Sequence, residues 1–165
     1  MSALEQDFKT ADLSDEHKDV VSIAEPLFHN YGGRACFGGA IVALKVFEDN
    51  SLVRELVQED GRGRVIIVDG GGSLRYSLVG DLVAQSAADH DWAGMLIYGA
   101  VRDSRDLADI PVGVQALGTI PRRSIRRNEG QRGLPVTFGG VTFSPGEFVY
   151  ADEDGVIVAP HNLLG

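Results

Sequence analysis

The segment GAVRDSRD, residues 99–106, puts Arg102 and Asp103 side by side where the apolar run MLIYGAV stops, with Asp106 three residues further on. A guanidinium is a permanent cation whose planar fork grips carboxylates and phosphates, and a carboxylate beside it can hold a divalent cation. In open α/β sheets, ligands bind beyond the carboxyl ends of the strands, which is where this pair falls if residues 95–101 form a strand. The same edge should hold the start of a helix predicted from GDLVAQSAADHD, near Gly80. There the amides of Asp81, Leu82 and Val83 have no intrahelical acceptor and can receive a carboxylate or phosphate. An anion, a guanidinium and a carboxylate would then meet. The competing reading is a solvated ion pair, the usual state of an Arg–Asp pair at a strand end.

Other chemistries find little support. There is no H-E-x-x-H, and His17, His29, His90 and His161 are scattered, so a histidine-bound zinc site has no sequence basis. No G-x-S-x-G occurs. Gly70-Gly71-Gly72 fits neither the P-loop nor the dinucleotide fingerprint and reads as a turn. Cys36, beside Phe37, reads as a small core residue rather than a nucleophile. Of three lysines only Lys45 is a Schiff-base candidate, and a strand lysine normally faces solvent. Arg122, Arg123, Arg126, Arg127 and Arg132 could dock a phosphate-bearing partner. They read more simply as a solvated loop, or as an intersubunit contact answering the acidic surface.

The elements that must position these residues are legible in outline. RACFGGAIVALKVF, residues 34–47, predicts a strand, and Asp49-Asn50-Ser51 supplies caps for a short helix carrying Leu52, Val53 and Leu56 and ending near Asp60-Gly61. RVIIVDGGGS, residues 64–73, is a strand buried on both faces and followed by a tight loop. With the helix after Gly80, whose expected buried stripe is Leu82, Val83, Ser86, Ala87 and His90, and the 95–101 run, it makes a βαβ unit with parallel strands. Residues 135–160, cut by Gly139-Gly140, Pro145-Gly146 and Asp154-Gly155, predict an antiparallel meander. Residues 1–19 predict a polar tail and a short helix, with Ser14 or Asp15 as a cap.

The totals set the bounds. A chain of 165 residues, 44% apolar and 24% charged, fits one folded domain over residues 1–165. A net charge of −9 opposes nucleic acid and favours a basic protein partner. A single cysteine suggests a reducing compartment. With no secretory leader pattern and no run of about 20 apolar residues, the expectation is a cytoplasmic protein off the membrane.

Taken together, GGRACFGG (32–39), KVFEDNSLVRE (45–55), VDGGGSLRYSLVGDLVA (68–84), WAGMLIYGAVRD (92–103) and GGVTFSPGEFVYADEDGVIVAP (139–160) resemble the RraA family. That family is named for a regulator of ribonuclease E activity and includes metal-dependent 4-hydroxy-4-methyl-2-oxoglutarate aldolases. The resemblance implies an α/β fold of the swivelling β/β/α kind, a central β-sandwich or barrel with flanking helices, assembled as a homotrimer with sites at subunit interfaces. It implies that Gly80-Asp81-Leu82-Val83 binds a pyruvate carboxylate through backbone amides, that Arg102-Asp103 is the catalytic pair, and that Asp106 matches a further acidic position.

The chemistry explains the residue types. Cleaving a 4-hydroxy-2-oxo acid, or decarboxylating oxaloacetate, leaves electrons on a pyruvate enolate that something positive must hold. The resemblance gives that role to Mg²⁺ or Mn²⁺ on Asp103, with Arg102 as a second positive charge and Asp81 in water holding or proton transfer. The sequence ends at Gly165, before the segment that supplies a further acidic residue in longer aldolases. This favours oxaloacetate decarboxylation, which needs no base for a 4-hydroxyl, over aldol cleavage. The short form is also that of the family's ribonuclease regulators, some of which lack an aspartate at the position of Asp103. The second expectation is therefore a non-catalytic protein that binds an endoribonuclease without touching RNA.

Overall fold

A computed structural model describes residues 7–165. Helix α1 (Thr10–Glu16) precedes the short strands β1 (Ser22–Ile23) and β2 (His29–Asn30). Then come β3 (Phe37–Lys45), α2 (Ser51–Leu56), β4 (Arg64–Asp69), β5 (Ser77–Val79), α3 (Asp81–Asp89), β6 (Gly94–Val101), α4 (Ser104–Leu107) and β7 (Gly113–Thr119). The C-terminal part holds β8 (Gln131–Arg132), β9 (Val136–Phe138), β10 (Val141–Phe143), β11 (Phe148–Asp152) and β12 (Gly155–Ala159).

A mixed sheet runs β1-β12-β11-β3-β4-β6-β7-β2, with β8 beside β3 and β5 beside β6. Its centre is parallel, in the registers Val42↔Ile66, Ile66↔Met95 and Met95↔Val114. Such strands need cover on both faces, and the alternation along β4 supplies it. Ile66 and Val68 join one core with Val53 and Leu56 of α2, Ala84 and Ala87 of α3, and Trp92. Val65 and Ile67 join a second core with Val136, Phe138, Val141 and Phe143 and with Val149 and Val156. The layers are therefore helices, parallel strands, then β-hairpins. The fold is mixed α/β, and the βαβ unit is as expected.

Three local expectations are corrected. Residues 135–160 form two hairpins rather than one meander: β9 and β10 make a separate two-stranded sheet, while β11 and β12 extend the main one. The first hairpin turns through Gly139 and Gly140 at φ 60° and 77°, which side chains on both residues would oppose. The buried stripe of α3 is Val83, Ala84, Ala87 and Ala88, and Leu82 is 81% exposed. Residue 82 lies two positions, about 200° of helix, from Ala84, so it cannot share that face. Finally, α1 starts at Thr10 after Lys9, with Ser14 and Asp15 inside the helix. Its anchor is Asp152, which accepts from the Thr10 amide at 2.7 Å and the Thr10 hydroxyl at 2.5 Å. The first six residues of the expected polar tail lie outside the described residues.

Candidate active site

The site is built where β4 ends and β5 takes its place beside β6. Strand β4 pairs with β6 as far as Tyr98, and β5 pairs beyond it at Ala100 and Val101. This splice brings Gly80 and the start of α3 against Arg102, whose amide donates to the Val79 carbonyl at 2.9 Å. Asp103 follows in the left-handed region at φ 58°. That conformation is uncommon for a side-chain-bearing residue, though aspartate tolerates it better than most. The turn directs the carboxylate to α3: Asp103 Oδ2 accepts from the Asp81 amide at 3.0 Å and stands 4.0 Å from Arg102 Nε. The two side chains remain 34% and 38% exposed, and Arg102 Nη1 donates to the Pro121 carbonyl at 3.4 Å. A 4.0 Å separation is a loose pair, so the guanidinium keeps donors for a ligand.

The expectation of three amides awaiting an anion is modified by this geometry. The Asp81 amide is held by Asp103, and the Leu82 amide donates to Asp81 Oδ1 at 2.8 Å. The first turn already carries two carboxylates of the protein itself, as its dipole favours. Gly80 makes that arrangement possible: a Cβ there would lie 2.7 Å from Asp103 Oδ2 and 3.4 Å from Arg102 Nε. The obstructing atom is the end of a flexible side chain. Gly80→Ala is therefore expected to lower turnover about tenfold or more by displacing the carboxylate, with the melting temperature shifted by only a few degrees. Paired kinetics and thermal melts on one preparation check this.

A recess of about 90 Å³ collects six residues singled out from the sequence: Gly80, Asp81, Leu82, Val83, Arg102 and Asp103. Asp106 lies on α4, exposed, and is not among its lining residues. The recess also includes Asn50, Arg54, Ser77 and Ser124, which the sequence does not mark as site residues, and Arg123 and Arg126, which belong to the arginine cluster read there as a solvated loop or an intersubunit contact. By sequence Asn50 reads only as a cap. It is 8% exposed, its Nδ2 donates to the Leu78 carbonyl at 3.1 Å, and its Oδ1 is buried without a partner.

The arginine segment is exposed, as a solvated loop would be, but its backbone is fastened. Ser77 donates its amide to the Arg122 carbonyl at 2.7 Å, and Ser124 Oγ donates to the Ser77 carbonyl at 2.6 Å. Asp49, 2% exposed, is the main fastening. Its Oδ1 accepts from the Ser51 amide and hydroxyl at 2.8 and 2.5 Å, and its Oδ2 from the Arg127 and Glu129 amides at 2.7 and 3.2 Å. Burial pushes this carboxyl up, but the bonds from Ser51, Glu129 and Arg127 outweigh it and leave the pKa below the ordinary 3.8. A depressed carboxylate stabilises the fold above its unfolded pKa, and that contribution is lost as pH falls through the folded value. Asp49→Ala should cost about 2–3 kcal/mol in urea unfolding at neutral pH, because several donors lose a charged acceptor. The difference from wild type should shrink below about pH 4.

Lys45 is exposed and lies in a separate depression with Phe47, Asp69 and Tyr98, sharing no residue with the recess. Cys36 lies just before β3, partly buried, with its thiol donating to the Phe8 carbonyl at 3.4 Å, and burial raises its pKa. Neither joins the site. Gly71 and Gly72 form a turn, as expected.

The fold and recess define an α/β protein that presents an Arg–Asp pair and a helix start at one strand end. The chain belongs to the RraA-like family, described as Aldolase/RraA, which matches residues 10–158. A protein of Pseudomonas syringae pv. tomato, provisionally named 4-hydroxy-4-methyl-2-oxoglutarate aldolase, is 57% identical over 154 residues, covering 93% of this chain and 95% of its own. A Geobacillus kaustophilus structure, described as an S-adenosylmethionine:2-dimethylmenaquinone methyltransferase, superposes with TM-score 0.93 at 46% identity, covering 95% of this chain and 98% of that one. The RNA-processing inhibitor RraA of Thermus thermophilus superposes with TM-score 0.91 at 42% identity, covering 94% of each chain. One fold thus carries three different names, and the choice among functions rests on the recess.

Proposed function

We propose that the chain is a divalent-metal-dependent carbon–carbon lyase that releases pyruvate from short 2-oxo acids, by aldol cleavage of 4-hydroxy-4-methyl-2-oxoglutarate, by decarboxylation of oxaloacetate, or both. The observation that carries the reading is the convergence of Arg102, Asp103 and the first turn of α3 in one recess. The name of the 57% identical relative agrees with it.

The donor set suits a hard cation. Asp103 and Asp81 offer carboxylate oxygens, and no group of three or more His, Cys, Asp or Glu gathers to hold a metal among the described residues. Two carboxylates fit Mg²⁺ or Mn²⁺, which keep several waters and need few carboxylates. Asp103 would hold it; when bound, the ion supplies positive charge that lowers the energy of an enolate oxygen.

The chain's own residues do the remainder. Arg102 places a fixed guanidinium where the 2-oxo oxygen gains charge, an interaction that strengthens as the C3–C4 bond breaks. When Asp103 turns from α3, the Asp81 amide is freed, and with Val83 at the same helix start it can receive the substrate carboxylate. In decarboxylation the C3–C4 pair flows to the carbonyl oxygen as CO₂ leaves, and C3 then takes a proton. In aldol cleavage of 4-hydroxy-4-methyl-2-oxoglutarate the 4-hydroxyl gives up its proton to solvent water, C4 becomes the carbonyl carbon of a second pyruvate, and C3 of the first takes a proton. Asp81 is assigned the relay of a proton between water and C3.

A homotrimer with the recess at a subunit boundary completes the reading, supported by Leu82, 81% exposed at the rim. No helix among the described residues is long and apolar enough to cross a membrane. A cytoplasmic location is proposed on the single cysteine of the sequence, which suits a reducing compartment. The decisive assay is pyruvate release from oxaloacetate and from 4-hydroxy-4-methyl-2-oxoglutarate, with Mg²⁺ or with chelator. Release that stays at the buffer background in Mg²⁺ contradicts the proposal.

A second role, binding an endoribonuclease through the acidic outer surface, is favoured by the printed description of the Thermus thermophilus neighbour and by the net charge of −9. It predicts a salt-sensitive pulldown, and failure at low ionic strength counts against it.

A further inference from the structure

Away from the recess, and sharing no residue with it, a hollow of about 140 Å³ lies between the turn of the β11–β12 hairpin and the segment around β2. Its lining includes four carboxylates, Glu25, Asp152, Glu153 and Asp154, and neither lysine, arginine nor histidine. The four are not equally free. Asp152 is taken up by the fold, accepting from the Thr10 amide and hydroxyl and, at 2.9 Å, from the Asp154 amide. Among the described residues, the side chains of Glu25, Glu153 and Asp154 have neither an ion pair nor a hydrogen bond. Their backbones are nonetheless held. The bond from Asp154 to Asp152 fixes the two-residue loop of the hairpin, and the amides of Ala24 and Glu25 donate to the Val156 and Gly139 carbonyls at 3.0 and 2.8 Å. Like charges fixed around one hollow raise each other's energy, so a cation is favoured between them.

A second observation points into the same hollow from the sheet. Asn30 on β2 and Gln115 on β7 are direct cross-strand partners, which sets their carboxamides side by side. Gln115 is 3% exposed, and its Nε2 donates to the Asp152 carbonyl at 3.2 Å, which settles the orientation of the amide and leaves Oε1 as its other end. That oxygen has no donor among the described residues. Asn50 Oδ1 is the one sealed orphan among the described side chains, so the Gln115 oxygen remains open to the hollow it lines. A side chain this deeply set with a bare acceptor calls for a donor. Phe28, half-buried with its ring against Phe138, adds aromatic surface to the wall.

We infer that this hollow is a binding site for one guanidinium group, the side chain of an arginine in a protein segment that docks on this face. The residue types select it. Carboxylates and carboxamide oxygens accept, a guanidinium offers five N–H donors in one plane, and its flat face stacks on an aromatic ring. An ammonium has three donors and no flat face, and a metal ion makes no use of the ring. Free arginine is disfavoured because its own carboxylate would enter the field of the three acids, a charge that is absent once the residue is inside a chain. The site does not depend on the lyase reading, and it does not require that the partner be a ribonuclease.

The test is an NMR titration of the isotopically labelled full chain with three probes: the tripeptide Gly-Arg-Gly blocked at both ends, its lysine counterpart, and its citrulline counterpart, which keeps the shape and loses the charge. The arginine peptide should shift the Asn30 and Gln115 side-chain amides and the Gly155 amide together, and citrulline should weaken binding about tenfold or more. Lysine should bind about threefold more weakly than arginine. Glu153→Gln with Asp154→Asn, both exposed in the turn, should cost about tenfold, and Phe28→Leu about threefold. Absence of shifts at Gln115, equal binding of the citrulline or lysine peptide, or an affinity unchanged in the double variant overturns the site. So does Ca²⁺ alone moving the same resonances at lower concentration than the arginine peptide, which would assign the carboxylates to a metal ion. None of the probes is an oxo acid, so each outcome is separate from that of the pyruvate-release assay.

Discussion

Arg102→Ala is expected to lower kcat by roughly 10² to 10³, with a much smaller change in KM. The reasoning is differential. In the substrate the 2-oxo oxygen is a neutral dipole and gains little from a guanidinium, whereas in the transition state it carries most of a negative charge. The side chain is 38% exposed and its ion pair spans 4.0 Å, so stability should hardly change. Arg102→Lys returns the charge without the planar fork and should recover only part of the rate. Steady-state kinetics on oxaloacetate separate these cases, and a loss confined to KM would move Arg102 from transition-state to ground-state binding.

Asp103→Asn is the second large effect: activity falls by about 10³ or more, and the response to added Mg²⁺ disappears with it. A cation beside an enolate oxygen contributes several kcal/mol, and each 1.36 kcal/mol is a factor of ten. Asparagine is the informative replacement because it also tolerates the left-handed backbone at φ 58° and can still accept from the Asp81 amide. Charge is removed while the turn is kept. Titrating activity against Mg²⁺ in wild type and variant checks this, and an unchanged half-saturation would separate Asp103 from the cation.

Some of this was readable from the chain alone because the signals are local. The continuous apolar runs at residues 64–69 and 95–101 read as buried strands, and the Arg–Asp pair closes the second of them. Gly80 followed by a helical pattern fixed the other half of the site. What was hidden depends on contacts distant in sequence. Strand β5 has three residues and exists because β6 outlasts β4. Asn50 resembles an ordinary cap until the fold buries it against Leu78. The arginine segment looks solvated because its fastenings come from Asp49 and Ser77, 45 to 80 residues earlier. The apolar spacing that puts Leu82 inward lies one residue out of phase with the observed stripe of Val83, Ala84, Ala87 and Ala88, because small alanines mark a buried face only weakly.

The account is tested most directly by following exchange of the C3 protons of pyruvate for deuterium by NMR, since enolate formation is the step every proposed reaction shares. Wild type in Mg²⁺ should exchange them well above the buffer rate, and chelator, Arg102→Ala and Asp103→Asn should each bring the rate back toward that background. Exchange that never exceeds buffer, or that persists unchanged in both variants, would contradict it.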